Sequence, residues 1–594
     1  MLQMRTDLMA VACGRRSADL YIENGRVLNV HSGEILSGVG VAVASGRVAY
    51  VGPSRGMIGP ETQFLDAEGG ILVPGYVDPH AHFDNILSPR RLAEALLPLG
   101  TTMVVNDTLA VVARFGAPGL ACLRAAATSL PLHFGWTVPI SGWAPELEEA
   151  GYFAGLGLTD AELDVLLADE TVLGTSEFLP WRRLLAGDQR LIARLDIARR
   201  HGKCCEGHNP GARADHLQVI AAAGLTDCHE ALTSAEALNR LRAGLYVVLR
   251  HGPARYDLPE LASLVMKEGV DRSRLMLTPD WVPPNDLAAF GHMDHPLSAA
   301  MEAGIPPLDA YRMASLNPAR YFRIEGQIGS IAPGRYADIL CLNDLREPRP
   351  KWVMAQGAVV ARNGVPTPDW HGLDELELPA YRPSVLHASP ADFRVASAGT
   401  GDVLVPAIEI MDRTVTRRID LHLPVKDGVV SCAGEEGRVM KMAMPHPEGG
   451  FSIGFLVGVG GCLGAMSNSL ASEPYHTLVI GTSDDDMAIA YNRMIELGGG
   501  VVTVQDGRIE AQLPLPLGGF MTKASAADVG AGIDAVNQWA RNNGSNLENA
   551  FLTQHFLTYV GVPFFRMTPW GIYDVRKHCF LPPILNQGSE EDAL

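Results

Sequence analysis

Two histidines one residue apart end an apolar stretch of the chain, Pro74-Gly75-Tyr76-Val77-Asp78-Pro79-His80-Ala81-His82. In a β-strand, residues i and i+2 point to the same face, so His80 and His82 project together, about 6.5–7 Å apart along the chain. Both imidazoles can then reach one metal ion, because each ligates at about 2 Å. The alternative is a chance pair at a solvated strand end. The preceding Ile71-Leu72-Val73 and the Pro-Gly turn favour a buried strand that opens onto a site.

The sequence pattern before this strand differs from the pattern after it. Residues 19–74 read as short strands interrupted by Asn24-Gly25 and Ser45-Gly46, dipeptides that are typical of hairpins. From residue 75 to about 325, short apolar strands alternate with helical stretches, which predicts an α/β fold with a TIM-like (β/α)8 barrel. A strand at 337–342 is expected to pair back with the first segment.

We therefore predict four segments of the chain. A Pro-rich polar stretch from 347 to about 390 indicates a boundary, and the remainder has its own strands and a helix over 484–497. The segments are the N-terminal part of a small flanking β domain at 1–74, a metal-binding barrel at 75–324, a return to the small β domain at 325–365, and a C-terminal α/β domain at 390–594.

Further histidines and carboxylates follow the predicted barrel strands. Barrel enzymes build their sites at the C-terminal ends of the strands, so residues at those ends are expected to converge. Each residue alone has a structural alternative, such as a helix N-terminal charge or a turn-capping imidazole, but their order along the chain indicates one site. The residues are His80, His82, Glu177, His208, His229 and Asp280.

This mixture of side chains predicts metal-assisted hydrolysis. Imidazoles and carboxylates suit Zn, Mn or Fe, and such an ion lowers the pKa of bound water so that hydroxide exists near neutrality. A carboxylate beside that water can pass its proton to a leaving amine. We predict one or two divalent ions, with the four histidines as ligands, Glu177 as a ligand or bridge with a catalytic role, and Asp280 as a ligand and general base. His251, after a later strand, is a further candidate for substrate contact.

Composition excludes several other functions. The net charge of −19 argues against nucleic-acid binding, which needs basic patches, and against anionic membrane surfaces. No apolar run reaches the roughly 18 residues of a membrane span, and the N-terminus lacks a signal-peptide core. Nine cysteines without CxxC spacing disfavour a disulfide framework or a zinc ribbon. We expect a cytoplasmic protein that acts on a small molecule.

At these residues the chain resembles the amidohydrolase superfamily, and within it the bacterial adenine deaminases. The strand that ends in His80-Ala81-His82 and the segment from Gly329 to Ile339 resemble the superfamily. Three C-terminal segments and Cys228-His229-Glu230 resemble the adenine deaminases; the C-terminal segments are Asp486-Met487-Ala488, Gly498-Gly499-Gly500 and Leu513-Pro514-Leu515-Pro516-Leu517-Gly518-Gly519.

The resemblance implies hydrolysis of adenine to hypoxanthine and ammonia through a metal-bound hydroxide. It also implies that Asp84, which replaces a family glutamate, and Glu230 face the substrate, and that the protein is a homo-oligomer. Two alternatives stay open, because Asp107-Thr108-Leu109-Ala110 stands where the family has Asp-Pro-His-Glu. The chain could act on another heterocyclic amine or a cyclic amide, or it could be a catalytically silent binding protein.

Overall fold

The computed structural model describes most of the chain. The described residues are 2–83, 85–141, 158–268, 270–367, 373, 376–399, 401–412, 414–432, 439–472, 476–562 and 564–585. Asp84, one of the predicted substrate contacts, lies outside the described residues. All the other predicted site residues lie within them.

Eight parallel strands form the predicted TIM-like barrel, and we number them β1 to β8 in chain order. Strands β1 to β5 pair in sequence as one sheet, and β7 pairs with both β6 and β8 in a second sheet. The Thr226 amide donates to the Cys205 carbonyl where the sheets meet, and the Thr278 hydroxyl donates to the His80 carbonyl at 2.7 Å where the barrel closes. The strands are Tyr76–Ala81, Thr101–Asn106, His133–Val138, Val172–Phe178, Cys204–Gly207, Asp227–Cys228, Tyr246–Gly252 and Leu275–Thr278.

Helices surround the barrel and cover the outer faces of its strands. Because both faces are covered, β2 and β4 are buried along their whole length, as is usual for parallel sheets. One helix begins with a capping box between Thr159 and Glu162. The helices are Pro89–Leu96, Leu109–Ala127, Asp160–Ala168, Trp181–Leu185, Gln189–Arg200, Ala214–Ala223, Ser234–Arg242, Leu258–Glu268, Pro284–Phe290, Asp294–Glu302, Pro307–Met313 and Leu316–Tyr321.

The helix Leu109–Ala127 is, among the described residues, the one helix long and apolar enough to cross a membrane. It has 19 residues, and half of it is buried within the protein. An apolar helix of this length was not expected from the sequence. Gly116 interrupts it with non-helical backbone angles, and Arg114 on it donates to the Gly518 carbonyl at 2.8 Å. These contacts pack the helix between the barrel and the C-terminal segment.

A nine-stranded sheet lies beside the barrel and combines both ends of the predicted small β domain. The predicted return strand Ile339–Leu342 pairs antiparallel with Ile71–Pro74. Ser45-Gly46 makes the expected hairpin turn. Asn24-Gly25 instead forms a bulge within one continuous strand, and the hairpin predicted there was therefore wrong. The remaining strands are Leu20–Asn29, Glu34–Ala44, Arg47–Gly52, Gln63–Asp66, Trp352–Ala355, Ala358–Arg362 and Val365–Pro366.

The C-terminal part folds around a second nine-stranded sheet. The predicted helix is Asp484–Glu496, capped by the Ser483 hydroxyl and followed by Gly498 in the left-handed region. Two further helices, Ala526–Asn542 and Ala550–Phe556, follow the sheet. Its strands are Gly401–Ile410, Thr416–Lys426, Val429–Val430, Val439–Pro445, Phe451–Val457, Ala465–Ala471, His476–Gly481, Gly500–Gln505 and Arg508–Pro514; a three-stranded sheet adds Phe565–Thr568, Gly571–Asp574 and Cys579–Phe580.

The C-terminal part is attached to the barrel directly after the two histidines of β1. The strand Met521–Thr522 pairs in parallel with Ile86–Leu87. The Trp281 indole, just beyond β8, donates to Asn85 Oδ1 at 3.2 Å. These bonds fix the segment that follows His82 and place the C-terminal part over the mouth of the barrel.

Candidate active site

The two histidines of β1 converge as their spacing predicts. His80 lies within the strand and His82 one residue beyond it, and their Nε2 atoms are 3.1 Å apart. Behind them, His80 Nδ1 bonds Glu206 Oε2 at 3.1 Å. With Nδ1 engaged by Glu206, Nε2 is the His80 nitrogen that faces the cluster and can bind a cation.

Glu177, on β4, presents one carboxylate oxygen to three histidines. Its Oε2 lies 2.9 Å from His208 Nδ1, 3.4 Å from His229 Nε2 and 3.9 Å from His80 Nε2. His208 and His229 directly follow β5 and β6, so the C-terminal ends of neighbouring strands bring these side chains together. The Glu177 amide donates to Asp107 Oδ2 at 3.1 Å, which fixes the strand end.

Asp280 completes the ring of side chains from beyond β8. Its backbone is left-handed, with φ of 65°, a conformation that aspartate tolerates better than most residues. Oδ1 accepts from the Trp281 amide at 2.8 Å and lies 3.3 Å from His82 Nε2. Oδ2 accepts from Arg250 Nη1 at 3.1 Å. Both oxygens are therefore oriented by neighbours.

The arrangement fits a metal centre. Three sets of donor atoms each lie within 4.8 Å of one another, and His80 and His229 each belong to two sets. His208 contributes Nδ1, which lies 3.3 Å from His229 Nε2 and 3.8 Å from Glu230 Oε1. Ligands at about 2 Å from one ion require this convergence. The sets are His80, Glu177 and His229; His80, His82 and Asp280; and His208, His229 and Glu230.

The electrostatics of the cluster favour a cation. Burial opposes ionisation of Glu177 and Asp280, but the surrounding histidines hold the pKa of both carboxyls well below the usual range. Burial likewise opposes ionisation of Glu230, and the Arg250 guanidinium lowers its pKa to about 2. Burial disfavours protonation of His82, yet Asp280 and Glu177 raise its pKa to about 9. Metal binding here must therefore displace protons from the imidazoles.

A cavity of about 240 Å³ opens over these residues, between the barrel and the C-terminal part. The Tyr559 hydroxyl donates to Glu177 Oε1 at 2.9 Å. The Trp281 and His555 rings stack in parallel, with centroids 4.7 Å apart and planes 5° apart. The C-terminal part thus supplies one wall, with Val415, Ser472, His555, Phe556, Tyr559 and Val562.

Comparison with known proteins places this site in a family. The amidohydrolase family profile matches residues 71–360, and the adenine deaminase C-terminal domain profile matches residues 413–579. Curated adenine deaminases from Moorella thermoacetica and Paracoccus denitrificans are 34% and 32% identical, each over 97% of this chain and 97% of the relative. The chain belongs to the adenine deaminase family.

Solved structures with a similar barrel cover little more than half of the chain. A beta-aspartyl dipeptidase from Fervidobacterium islandicum AW-1 aligns with a TM-score of 0.47 and 15% identity, over 59% of this chain and 99% of that one. Molinate hydrolase aligns with a TM-score of 0.45 and 17% identity, over 60% of this chain and 97% of that one.

Some residues of this adenine deaminase family site were missed from the sequence. Glu206 is one: burial raises its pKa to about 8, and it bonds His80. Its position two residues before His208 on an extended segment places both on one face, so the alternation that revealed His80 and His82 could have revealed it too. Tyr559 and His555 carry no such local signal, because they approach from a distant part of the chain.

His251 does not join the site. Its ring packs against His295, at 4.9 Å between centroids, and against Tyr256, at 5.0 Å, and it is absent from the cavity lining. The reason is strand alternation: Arg250 faces the cavity from β7, so the next residue faces the surrounding helices. The predicted substrate contact by His251 therefore has no support in the geometry.

Proposed function

We propose that this member of the adenine deaminase family hydrolyses adenine to hypoxanthine and ammonia. The observation that carries the proposal is the match to curated adenine deaminases over 97% of the chain. The match includes the C-terminal part, which forms one wall of the cavity. Similarity confined to the barrel would have supported metal-dependent hydrolysis without indicating a substrate.

In this proposal, the converging side chains hold one or two divalent ions, of Mn, Fe or Zn. The proposed ligands are His80, His82, Glu177, His208, His229 and Asp280, whose nitrogen and oxygen donors suit these metals. When bound, such an ion supplies Lewis acidity that lowers the pKa of water to near neutrality. Glu206 holds the His80 ring through Nδ1, so that Nε2 faces the other donors.

Asp280 is the proposed general base and proton carrier. It is ionised and lies at the cavity, so it can accept a proton from the attacking water. Water adds to C6 of the ring, Asp280 takes one of its protons and returns it to the exocyclic nitrogen, and the C–N bond breaks to release ammonia. The low pKa that Asp280 has in the cluster favours return of the proton.

The substrate ring is proposed to bind against the apolar wall. Trp281 and Phe556 offer flat apolar surface beside the reacting groups. Glu230, ionised and held by Arg250, lines the same cavity and offers a carboxylate acceptor for a ring N–H. This arrangement orients a planar heterocycle with polar edges.

The test combines substrate turnover with metal analysis. Ammonia release is measured on adenine and on a panel of other purines, pterins and pyrimidines, with the His82→Ala variant as the inactive control. Turnover of adenine above every other ring is expected. Turnover of another heterocycle, together with no turnover of adenine, would reject the adenine assignment.

A second candidate is deamination or ring opening of a different heterocycle. The observation that favours it is Leu109, which is buried and packs in one apolar cluster with Tyr559 where the family has a histidine. The same panel separates the two candidates. A protein purified without chelators that holds no stoichiometric metal would instead support a silent binding role.

We also propose that the protein is a cytoplasmic homo-oligomer. The support for the oligomer is the family resemblance, and the support for the compartment is an odd number of cysteines, nine, without CxxC spacing. Sedimentation velocity of the purified protein tests the oligomer, and a single species at 63.7 kDa would reject it.

A further inference from the structure

The two oxygens of the Glu177 carboxylate have different surroundings. Oε2 faces His208, His229 and His80, while Oε1 accepts a hydrogen bond from the Tyr559 hydroxyl at 2.9 Å. Tyr559 comes from the C-terminal part of the chain and is only 6% exposed. A buried phenol that bonds the oxygen turned away from the histidines is placed to set the rotation of the carboxylate.

We propose that Tyr559 is a positioning residue that holds Glu177 so that Oε2 alone is presented to the metal. The inference rests on the proposed function in one respect, namely that Glu177 is a metal ligand. The terminal torsion of a glutamate is broad and has no strong intrinsic preference, so an external donor decides it. With Oε1 bonded to the phenol, Glu177 binds through one oxygen rather than chelating through two or bridging two ions with both.

Tyr559 is itself fixed before any metal binds. The Arg566 Nε donates to the Tyr559 carbonyl at 3.0 Å, and the ring makes edge contacts with Phe556 and His208. Gly561 leaves room for the ring, because a Cβ at that position would lie 2.7 Å from Tyr559 Cζ. The position of the Tyr559 hydroxyl is therefore fixed by its surroundings, as is usual for residues that bond to metal ligands.

The consequence is that the C-terminal part contributes to metal affinity, not only to the cavity wall. A ligand whose orientation is set beforehand loses less freedom on binding, so the ion binds more tightly. Removal of the single hydroxyl should weaken metal binding while leaving the six donor side chains in place.

The test measures Zn²⁺ binding to the full-length chain by competition with a chromophoric chelator. Tyr559→Phe is expected to raise the Zn²⁺ dissociation constant by about ten- to hundredfold, the usual effect of losing an outer partner. Tyr573→Phe is the matched control: Tyr573 belongs to the same apolar cluster, but its hydroxyl bonds His578 Nδ1 at 3.0 Å. It should bind Zn²⁺ as the wild type does. Thermal unfolding of both variants checks that they are folded.

A double-mutant cycle shows whether Tyr559 acts through Glu177. In a Glu177→Ala background, Tyr559→Phe should cause no further loss of Zn²⁺ affinity, because the oxygen that it holds is gone. A folded Tyr559→Phe protein with wild-type affinity, or an equal loss in both backgrounds, would overturn the inference. Because no substrate is used, absence of adenine turnover would reject the proposed function without affecting this result.

Discussion

Arg250 donates through a single nitrogen, Nη1, to Asp280 Oδ2 at 3.1 Å and also to Glu230 Oε1. All three side chains are buried. A buried charge needs a partner, and this guanidinium serves both carboxylates, while its Nη2 also donates to Asp257 Oδ2 at 3.3 Å. Arg250 thereby allows Glu230 and Asp280 to stay ionised side by side at the mouth of the barrel.

Replacing Arg250 should destabilise the protein strongly. Arg250→Met leaves two buried carboxylates without their cation, and the expected loss in unfolding free energy is about 3–5 kcal/mol. Arg250→Lys keeps the charge but not the planar fork, so its loss should be smaller. Urea denaturation measures both. Arg213→Met, which removes an exposed ion pair with Asp215, is the control and should change the unfolding free energy little. An equally small effect of Arg250→Met would contradict the role given to Arg250.

The Trp281–His555 stack predicts a specific kinetic effect. Trp281→Ala removes the flat apolar surface, so KM should rise by about tenfold, equivalent to about 1.4 kcal/mol of binding, with a smaller change in kcat. Trp281→Phe keeps an aromatic ring but loses the indole hydrogen bond to Asn85. Comparison of the two variants separates the contribution of the ring surface from that of the hydrogen bond. Steady-state kinetics on the substrate found in the panel measures both. A fall in kcat alone would show that Trp281 acts on the reacting groups and not on ring binding.

The barrel could be predicted, and the candidate ligands could be proposed, because their signals in the sequence are local. Most of the barrel strands contain a short apolar run, and a polar residue at the end of a strand can be recognised within a few positions, as His208 is after Cys204–Gly207. Tyr559 lies 382 residues from Glu177, and no local pattern says which surface of the C-terminal part meets the barrel. His251 does not line the cavity because one position along a strand reverses the face of a side chain, and the sequence alone does not reveal the strand register.

Removal of the metal should abolish activity reversibly. Because histidine and carboxylate donors converge at the barrel mouth, dialysis against a chelator is expected to remove both the bound metal and the ammonia release. Addition of Mn²⁺, Fe²⁺ or Zn²⁺ should restore activity and identify the competent ion. Elemental analysis gives the number of ions for each chain. His82→Ala should hold less metal, whereas His216→Ala, on a helix outside the barrel, should match the wild type.

His251 should make the protein less stable in acid. Burial, followed by the charge of His295, lowers the pKa of His251 from 6.5 to about 4. The unfolded chain then binds the proton more readily than the folded protein, so this residue favours unfolding as the pH falls from 6.5 toward 4, with no further change below that range. His251→Gln should remove this contribution, so its unfolding free energy should fall less than that of the wild type between pH 7 and pH 4. Urea denaturation across that range measures the difference. Parallel losses in the two proteins would mean that His251 titrates alike in the folded and unfolded states.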